Sequence, residues 1–271
     1  MAGQLIVLPG VTVAAAAGAP RLSMNAADAA ASKIVSLKHV VSARALTALP
    51  GGGVSGRCRN TGASLIPKGA NASMLSVSTV GGRKGLGQTG GSAGLALPAG
   101  SLTNSFCMVA AIYLGGNDTS SSSLVNFLAG FDATDNYIAA PLRYYGQNYS
   151  TVPSRADKMV SFGPSTTDFA AEALRTNVGW NIVIIDYDND QRRLSISVNQ
   201  STSFAAVTKS TTASFADTSY LEVGYHLSAN RLIDSKVGDL YTFDDSLLKA
   251  ELGKSQLGDV VQQLKGYYAI T

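Results

Sequence analysis

The chain has 271 residues, of which 45% are hydrophobic and 14% are charged, with a net charge of +3. This length suffices for one large β domain, or for a medium-sized domain with an extension. No apolar run reaches the roughly 20 residues of a membrane helix, and two cysteines and two histidines exclude a disulfide scaffold and a multi-histidine metal site within one chain.

The charges are distributed unevenly along the chain. Residues 1–100 hold nine Lys or Arg and one acidic residue, a net charge of +8, whereas the remainder holds 12 Lys or Arg and 17 Asp or Glu, a net charge of −5. Either the two parts face different partners, or a basic segment folds onto its own acidic domain. The basic residues are scattered with few aromatic residues among them, so we expect no nucleic-acid partner.

Residues 1–32 are rich in Ala and Gly and carry little charge. The apolar run at 5–19 resembles a signal peptide, but no positive charge precedes it and Pro9 and Gly10 interrupt it. Because a free tail would be more polar, we interpret residues 1–32 as an extended arm that lies along other subunits, with a helical turn beginning at Asn25. Residues 33–271 are then predicted to form a single domain.

The first part of that domain contains few clear elements. A β-prone run occupies residues 34–41, a Gly-rich break lies at 50–53 and a strand is predicted at 74–80. The glycine-rich stretch 81–91 lacks the lysine spacing of a phosphate-binding loop, and no helical pattern follows it. We therefore predict a plain loop there.

Short strands then follow at regular spacing, which favours a β-sandwich over alternating strands and helices. The predicted strands are 94–97, 105–114, 123–131, 137–144, 158–162, 180–187, 193–199, 203–208, 219–225 and 235–243. Residues 145–156 and 163–178 are long connections, where binding sites are common. A helix is predicted at 247–264, with Asp244 and Asp245 capping it and Gly253 and Gly258 interrupting it.

The hairpin at 179–199 begins with a strongly hydrophobic strand. Residues 180–187 are largely apolar on both faces, as expected for a central strand. The return strand alternates, with Leu194 on the packed face and Ser195 on a face expected to be solvated. The D-x-D-x-D sequence at 186–190 is interpreted as a solvated turn, because Gln191 stands where an EF-hand loop needs glycine.

This hairpin, with a Trp opening the first strand and Val-Asn closing the second, resembles the late half of a laminin-G-like, or concanavalin A-like, jelly roll. Other stretches resemble the early strand pair, closing strands and following helix of that family: 93–98, 105–113, 221–224, 237–243, 247–264 and 266–270. The resemblance covers residues 75–271. It implies an all-β antiparallel β-sandwich jelly roll, here with an extended N-terminal arm and a short C-terminal helix.

Some glucanases of this fold carry E-x-D-x-x-E on one strand, but Glu172, Glu222 and Glu251 do not have that spacing. Neither His39 nor His226 has a G-x-S-x-G partner. We therefore predict that the chain is not an enzyme and has no catalytic residue, bound metal or cofactor. A glycoside hydrolase with carboxylates from distant loops remains the third alternative.

Residues 143–149 form the best candidate for a ligand site, because tyrosines offer flat apolar faces and amide side chains offer hydrogen bonds to sugars. The predicted ligand-binding residues are Arg143, Tyr144, Tyr145, Gln147, Asn148 and Tyr149. The alternative is that these tyrosines pack the loop or a neighbouring subunit.

Jelly rolls of this resemblance are frequent in phage particles. The resemblance therefore suggests a bacteriophage virion component, such as a tail fibre, baseplate or capsid decoration, that contacts host glycans. Its expected partners are other virion subunits, bound through the arm, and further copies in a homo-oligomer, with no membrane insertion. The alternative is a secreted or surface carbohydrate-binding module.

Overall fold

The computed structural model describes residues 25–122, 124–168, 170–174, 177–227 and 232–271. In chain order the strands are β1 (Leu37–Ser42), β2 (Thr47–Ala48), β3 (Val54–Arg57), β4 (Ser64–Lys68), β5 (Leu75–Val80), β6 (Arg83–Gln88), β7 (Ala93–Ala96), β8 (Phe106–Leu114), β9 (Leu124–Phe131), β10 (Tyr137–Tyr145), β11 (Lys158–Ser161), β12 (Ala171–Leu174), β13 (Gly179–Asp188), β14 (Arg193–Val198), β15 (Ala205–Thr208), β16 (Tyr220–Tyr225) and β17 (Lys236–Phe243). The helices are α1 (Ala26–Ala31), α2 (Gly116–Ser120) and α3 (Glu251–Tyr268). None of these helices has both the length and the hydrophobicity needed to cross a bilayer.

Two antiparallel sheets face each other. The eight-stranded sheet has the order β15-β14-β13-β8-β17-β6-β5, with β1 also paired to β17. The nine-stranded sheet has the order β12-β11-β10-β9-β16-β7-β4-β3-β2. The predicted all-β antiparallel sandwich with a C-terminal helix is thus confirmed. The predicted arm lies mostly outside the described residues.

The eight-stranded sheet has an apolar core on each side. Val183, Ile185 and Tyr187 of β13 point into the core between the sheets. On the opposite face Trp180, Ile182 and Ile184 pack in a second cluster with residues of α3. The prediction of a central strand with two apolar faces is therefore confirmed, because this sheet is the middle one of three layers.

Residues 25–32, which were predicted to belong to the arm, pack against the second apolar cluster, on the outer face of the eight-stranded sheet. Asn25 caps α1 through a reciprocal pair of hydrogen bonds with Asp28. The Asp28 carboxylate accepts a hydrogen bond from the Tyr241 hydroxyl at 2.7 Å and pairs with Arg59 at 2.7 Å. The helical turn predicted at Asn25 is confirmed, and it belongs to the packed body of the protein.

Several local predictions are wrong. The stretch 81–91 contains strand β6, and the connection 163–178 contains strand β12. The C-terminal helix begins at Glu251 and runs unbroken past both glycines. Its N-cap is Ala250, so neither Asp244 nor Asp245 caps it; the Asp245 carboxylate instead accepts hydrogen bonds from Ser246 and Lys249.

The hairpin face expected to be solvated is also covered. Ser195 and Ser197 are each 1% exposed. Ser195 lines a cleft that the segment after the hairpin and the start of α3 also border, and the Ser197 hydroxyl donates to the backbone oxygen of Gln200 at 2.9 Å. In the D-x-D-x-D sequence, Asp186 and Asp188 are buried and only Asp190 is exposed. The Asp188 carboxylate accepts hydrogen bonds from the backbone of Asp190 and Gln191, which closes the turn.

Candidate functional site

The outer face of the nine-stranded sheet carries a continuous layer of rings. Strand β10 turns Leu142 and Tyr144 into the core, so the alternation of side chains places Arg143 and Tyr145 outside. Neighbouring elements add further rings to the same surface. We call this surface the aromatic face, and it consists of Phe131, Tyr137, Arg143, Tyr145, Phe162, Tyr220, Tyr225 and His226.

Phe131 lies at the centre of one half of the aromatic face. Its ring is stacked with Tyr220 at a centroid distance of 5.5 Å and with Tyr225 at 6.0 Å, and His226 lies 4.6 Å away. Tyr137 meets Tyr225 edge-on at 4.9 Å. Tyr137 and Tyr225 are only partly buried, so their ring surfaces are the part of this cluster that a ligand can reach.

Arg143 occupies the other half. Its guanidinium lies 5.2 Å from the centre of the Phe162 ring and 5.4 Å from that of Tyr137, whose hydroxyl also accepts a hydrogen bond from it. Burial works to lower the pKa of Arg143, but the oxygens of Tyr137 and Tyr145 outweigh it and the pKa is raised. Arg143 is therefore a fixed positive charge framed by rings.

Two polar groups close to the arginine lack protein partners. Asn126 is the cross-strand neighbour of Arg143 on β9 and is 1% exposed. Within the described residues neither its amide oxygen nor its amide nitrogen has a hydrogen-bond partner, and the same is true of Nε of Arg143. Buried polar groups are normally satisfied, so water or a ligand is expected to meet these atoms.

Glu222 lies on β16 of the same sheet and is fully buried. One carboxylate oxygen lies 2.7 Å from Nδ1 of His226, while no group among the described residues meets the other. Burial raises the pKa of Glu222, and the contact with His226 works against that rise. Gly94 leaves the space for this side chain, since a Cβ there would overlap the carboxylate.

The structure brings together only some of the predicted ligand residues. Arg143 and Tyr145 lie on the aromatic face, and Tyr149 packs edge-on against Tyr145 at 4.6 Å. Tyr144 is fully buried in the core, where its hydroxyl donates to Asp157 at 2.6 Å. A ring in that position packs the sandwich and does not reach a ligand.

The two predicted amide residues lie just beyond the strand. Gln147 and Asn148 are exposed on the turn that follows β10, and the Asn148 amide donates to the backbone oxygen of Ser120 at 2.7 Å. The residues that β16 contributes, and residues 126, 131 and 162, were not predicted from the sequence. One indication was present in the sequence. Tyr137, Arg143 and Tyr145 occupy odd-numbered positions of one strand, which is the pattern expected of residues that share one face of a sheet.

A cleft of about 870 Å³ on the other side of the molecule is a second candidate site. Asp186, Asp188 and Ser195 line it, together with residues from the start of α3. Asp186 accepts hydrogen bonds from the Ser246 hydroxyl at 2.6 Å and the Leu247 amide at 2.8 Å. Burial raises its pKa to about 6, against the effect of these two hydrogen bonds. Within the described ranges the Ser195 hydroxyl has no partner.

In the described part of the chain, no group of three or more His, Cys, Asp or Glu residues could hold a metal ion. Both cysteines are buried and free. Cys107 lies in β8 and is fully buried.

Comparisons with known proteins show a shared fold without a shared family. No protein-family model matches the sequence, and no curated protein matches it. The structure of Trypanosoma rangeli sialidase in complex with sialic acid is similar with a TM-score of 0.56 and 13% identity, over 85% of this chain and 34% of the sialidase. The binding domain of botulinum neurotoxin DC in complex with SialylT has a TM-score of 0.52 and 10% identity, over 84% of this chain and 51% of that domain.

These identities show the fold alone. The chain spans about a third of the length of the sialidases that it resembles. The prediction that the chain is not an enzyme is nevertheless wrong, because the absence of the glucanase motif does not separate this fold from hydrolases. The similar structures include sialidases, so a β-sandwich of this kind also occurs as part of glycoside hydrolases.

Proposed function

We propose that the chain binds glycans through the aromatic face. The observation that carries this proposal is the arrangement of partly buried Tyr137 and Tyr225 beside Arg143. Tyrosine rings offer a flat apolar surface to the C–H face of a sugar, and their hydroxyls and the guanidinium offer hydrogen bonds to its oxygens. Support comes from two similar structures, the sialidase in complex with sialic acid and the neurotoxin binding domain in complex with SialylT.

The predicted ligand residues enter the proposal with different roles. Arg143 would supply the positive charge. Tyr145 would support the Arg143 side chain, and Tyr149, which packs against Tyr145, would hold that ring in place. Gln147 and Asn148 would meet parts of a longer glycan that extend past the end of β10. Tyr144 would keep β10 in place from the core side.

A single copy should bind weakly, because the exposed part of the site is small. Display in many copies can raise the avidity by about 10²–10⁴. A glycan array probed with the protein on beads should therefore give binding that the monomer does not. Tyr225→Ala should reduce this binding at least about tenfold, which corresponds to the loss of one well-placed ring.

The matched control is Tyr267→Ala, which removes another partly buried tyrosine that contacts arginine, on the opposite side of the molecule. It should leave glycan binding unchanged. Equal loss in both variants, or no binding by the beads to any glycan, would contradict the proposal.

We also propose that the protein is a component of a bacteriophage virion, as a tail fibre, baseplate or capsid decoration attached through residues 1–32. The apolar N-terminal segment and the basic first hundred residues support an attachment role. Mass spectrometry of purified particles should then find the chain in stoichiometric amounts. Its recovery only from the culture medium would favour the alternative of a secreted or surface carbohydrate-binding module.

A second candidate function, hydrolysis of a glycosidic bond, is favoured by the cleft. Asp186 and Asp188 lie two positions apart on one strand, so their Cα atoms are about 6.6 Å apart. Most glycoside hydrolases use a pair of carboxylates in one cleft, and Asp186 and Asp188 both line this one. Release of reducing ends from polysaccharides or sialosides, lost in both Asp186→Asn and Asp188→Asn, would establish it. Release that persists in both variants would contradict it.

A further inference from the structure

Arg143 is a positive charge without a negative partner from its own chain. No Asp or Glu among the described residues pairs with it, and the residues outside those ranges contain no Asp or Glu at all. Its hydrogen bonds go to a neutral tyrosine hydroxyl. A partly buried guanidinium in this state has lost part of its hydration without gaining an ion pair.

Three acidic groups near the aromatic face already contact basic side chains. Glu172 pairs with Lys158 at 3.1 Å and with Arg155 at 3.6 Å. Asp135 pairs with Lys68 at 2.9 Å, and Glu222 meets His226. Arg143 is therefore the arginine of this surface that an incoming anion can pair with at no cost to an existing ion pair.

We propose that the aromatic face binds a carboxylated sugar and that Arg143 pairs with its carboxylate. This inference rests on the proposed glycan binding and names the class of glycan. A guanidinium has five N–H donors in a planar fork that matches a carboxylate with two parallel hydrogen bonds. The hydroxyl of Tyr137 accepts a hydrogen bond from the fork and holds it in place, so little side-chain freedom is lost on binding.

The aromatic rings around Arg143 also favour a carboxylated sugar over a neutral one. Tyr137 and Phe162 lie against the guanidinium and restrict solvent around it, which strengthens a charge-assisted hydrogen bond there. Asn126, with both amide atoms unpartnered in the described structure, is the neighbouring group that a sugar hydroxyl or a bridging water can satisfy. A neutral sugar would use the rings but leave the arginine unpaired.

The test uses the full chain on beads and four probes, namely a sialyllactose conjugate, a galacturonic acid oligomer and the methyl ester of each. Esterification removes the charge and keeps the shape of the sugar. Wild-type protein should bind at least one free acid about tenfold or more tightly than its ester. The acid that shows the larger ratio identifies the source of the carboxylate.

The variants distinguish the effect of the Arg143 charge from the effect of the net positive charge of the aromatic face. Arg143→Gln should lower acid binding to the level of the ester, while Arg155→Gln should keep the preference, because Arg155 contacts the same Phe162 ring but already pairs with Glu172. Arg143→Lys keeps the charge without the fork and should give an intermediate ratio. If Arg143→Gln fails to fold, the ratio of acid to ester on wild-type protein and on Arg143→Lys still decides.

Equal binding of acid and ester by the wild type would overturn this inference and leave the proposed glycan binding intact. An equal loss in the two arginine variants would also overturn it, as an effect of net charge. Failure of all four probes, together with a blank glycan array, would instead overturn the proposed function and this inference with it.

Discussion

Asp186 is an acidic side chain in β13, a strand whose two faces are otherwise largely apolar. It is 2% exposed, and burial raises its pKa to about 6 despite hydrogen bonds from Ser246 and Leu247. An aspartate in an unfolded chain has a pKa of about 3.9. The folded protein therefore binds a proton at this site in a pH range where the unfolded chain does not.

This difference predicts a pH dependence of stability that a variant can isolate. The stabilising contribution of Asp186 protonation is present in full below about pH 4 and is lost as pH rises through about 6, a change of about 3 kcal/mol. Urea unfolding measures the unfolding free energy of the wild type and of Asp186→Asn at each pH. As pH rises, the wild type should lose this amount of stability relative to the variant. Asp190→Asn, at an exposed position of the same turn, is the control for the loss of one negative charge. A constant difference between the wild type and Asp186→Asn would show that the pKa of Asp186 is ordinary.

The two buried cysteines differ in chemistry. Sγ of Cys58 lies 3.5 Å from Nδ1 of His39 and accepts a hydrogen bond from the backbone of Val40 at 3.4 Å. Burial works to raise the pKa of Cys58, but hydrogen bonds from His39 and Thr61 lower it to about 6. Burial raises the pKa of Cys107 well above its usual value.

We expect alkylation to distinguish the two thiols. Iodoacetamide should label Cys58 slowly in the native protein through local opening, with a rate that rises through about pH 6, because the thiolate is the nucleophile. Cys107 should be labelled only on unfolding and is the internal control. Peptide mass spectrometry gives both rates, and His39→Ala should move the Cys58 midpoint to higher pH. Equal labelling of the two cysteines in the native state would contradict this account.

At the scale of elements, α3 is attached to the sandwich by packing and by one buried polar contact. Leu257, Val260 and Leu264 fill the outer apolar layer of the eight-stranded sheet. The Tyr268 hydroxyl donates to the fully buried carboxylate of Asp239 at 2.8 Å, which also pairs with Arg44 at 3.1 Å. The last turn of the helix is therefore fixed by charge-assisted hydrogen bonding as well as by burial.

Tyr268→Phe should cost about 1.5–3 kcal/mol of unfolding free energy, because it removes a hydrogen bond to a buried charge. Tyr267→Phe is the matched control, since the Tyr267 hydroxyl has no hydrogen bond among the described residues. It should cost less than about 0.5 kcal/mol. Chemical denaturation of the two variants measures the contrast, and similar costs would mean that Asp239 relies on Arg44 alone.

Strands and helices that a local residue pattern marks could be predicted from the sequence. Those that depend on contacts with residues far away in the sequence could not. Strands β8 and β13 were predictable because long apolar runs can only be buried. Strand β6 was not, because its glycines weaken the pattern; Gly85 and Gly87 are needed since the Lys236 side chain lies where a Cβ would be. The aromatic face was predictable only around Arg143, because its other rings come from strands far apart in the sequence and meet through sheet pairing.

At the scale of the whole molecule, the N-terminal boundary decides how attachment is tested. Deletion of residues 1–24 should leave the sandwich folded and abolish incorporation into particles or oligomers, if the segment is the attachment arm. Deletion of residues 1–32 also removes Asp28 and leaves buried Tyr241 without its acceptor, so it should lower stability as well. Thermal unfolding and light scattering on both truncations separate the effects. Unchanged assembly of the protein that lacks residues 1–24 would exclude the arm as the attachment site.

The single tryptophan of the chain gives the protein a built-in optical reporter. Trp180 lies between the eight-stranded sheet and α3, with its indole N–H donating to the backbone oxygen of Val80 at 3.0 Å and the Tyr268 ring 4.4 Å away. Its fluorescence should therefore be emitted at short wavelength while α3 is docked, and should shift to longer wavelength when the helix detaches. The aromatic face lies on the far side of the sandwich, so a sugar that binds there should leave this emission unchanged. Helix release and ligand binding can thus be read separately in one sample, the first by intrinsic emission and the second by a dye attached near Gln147.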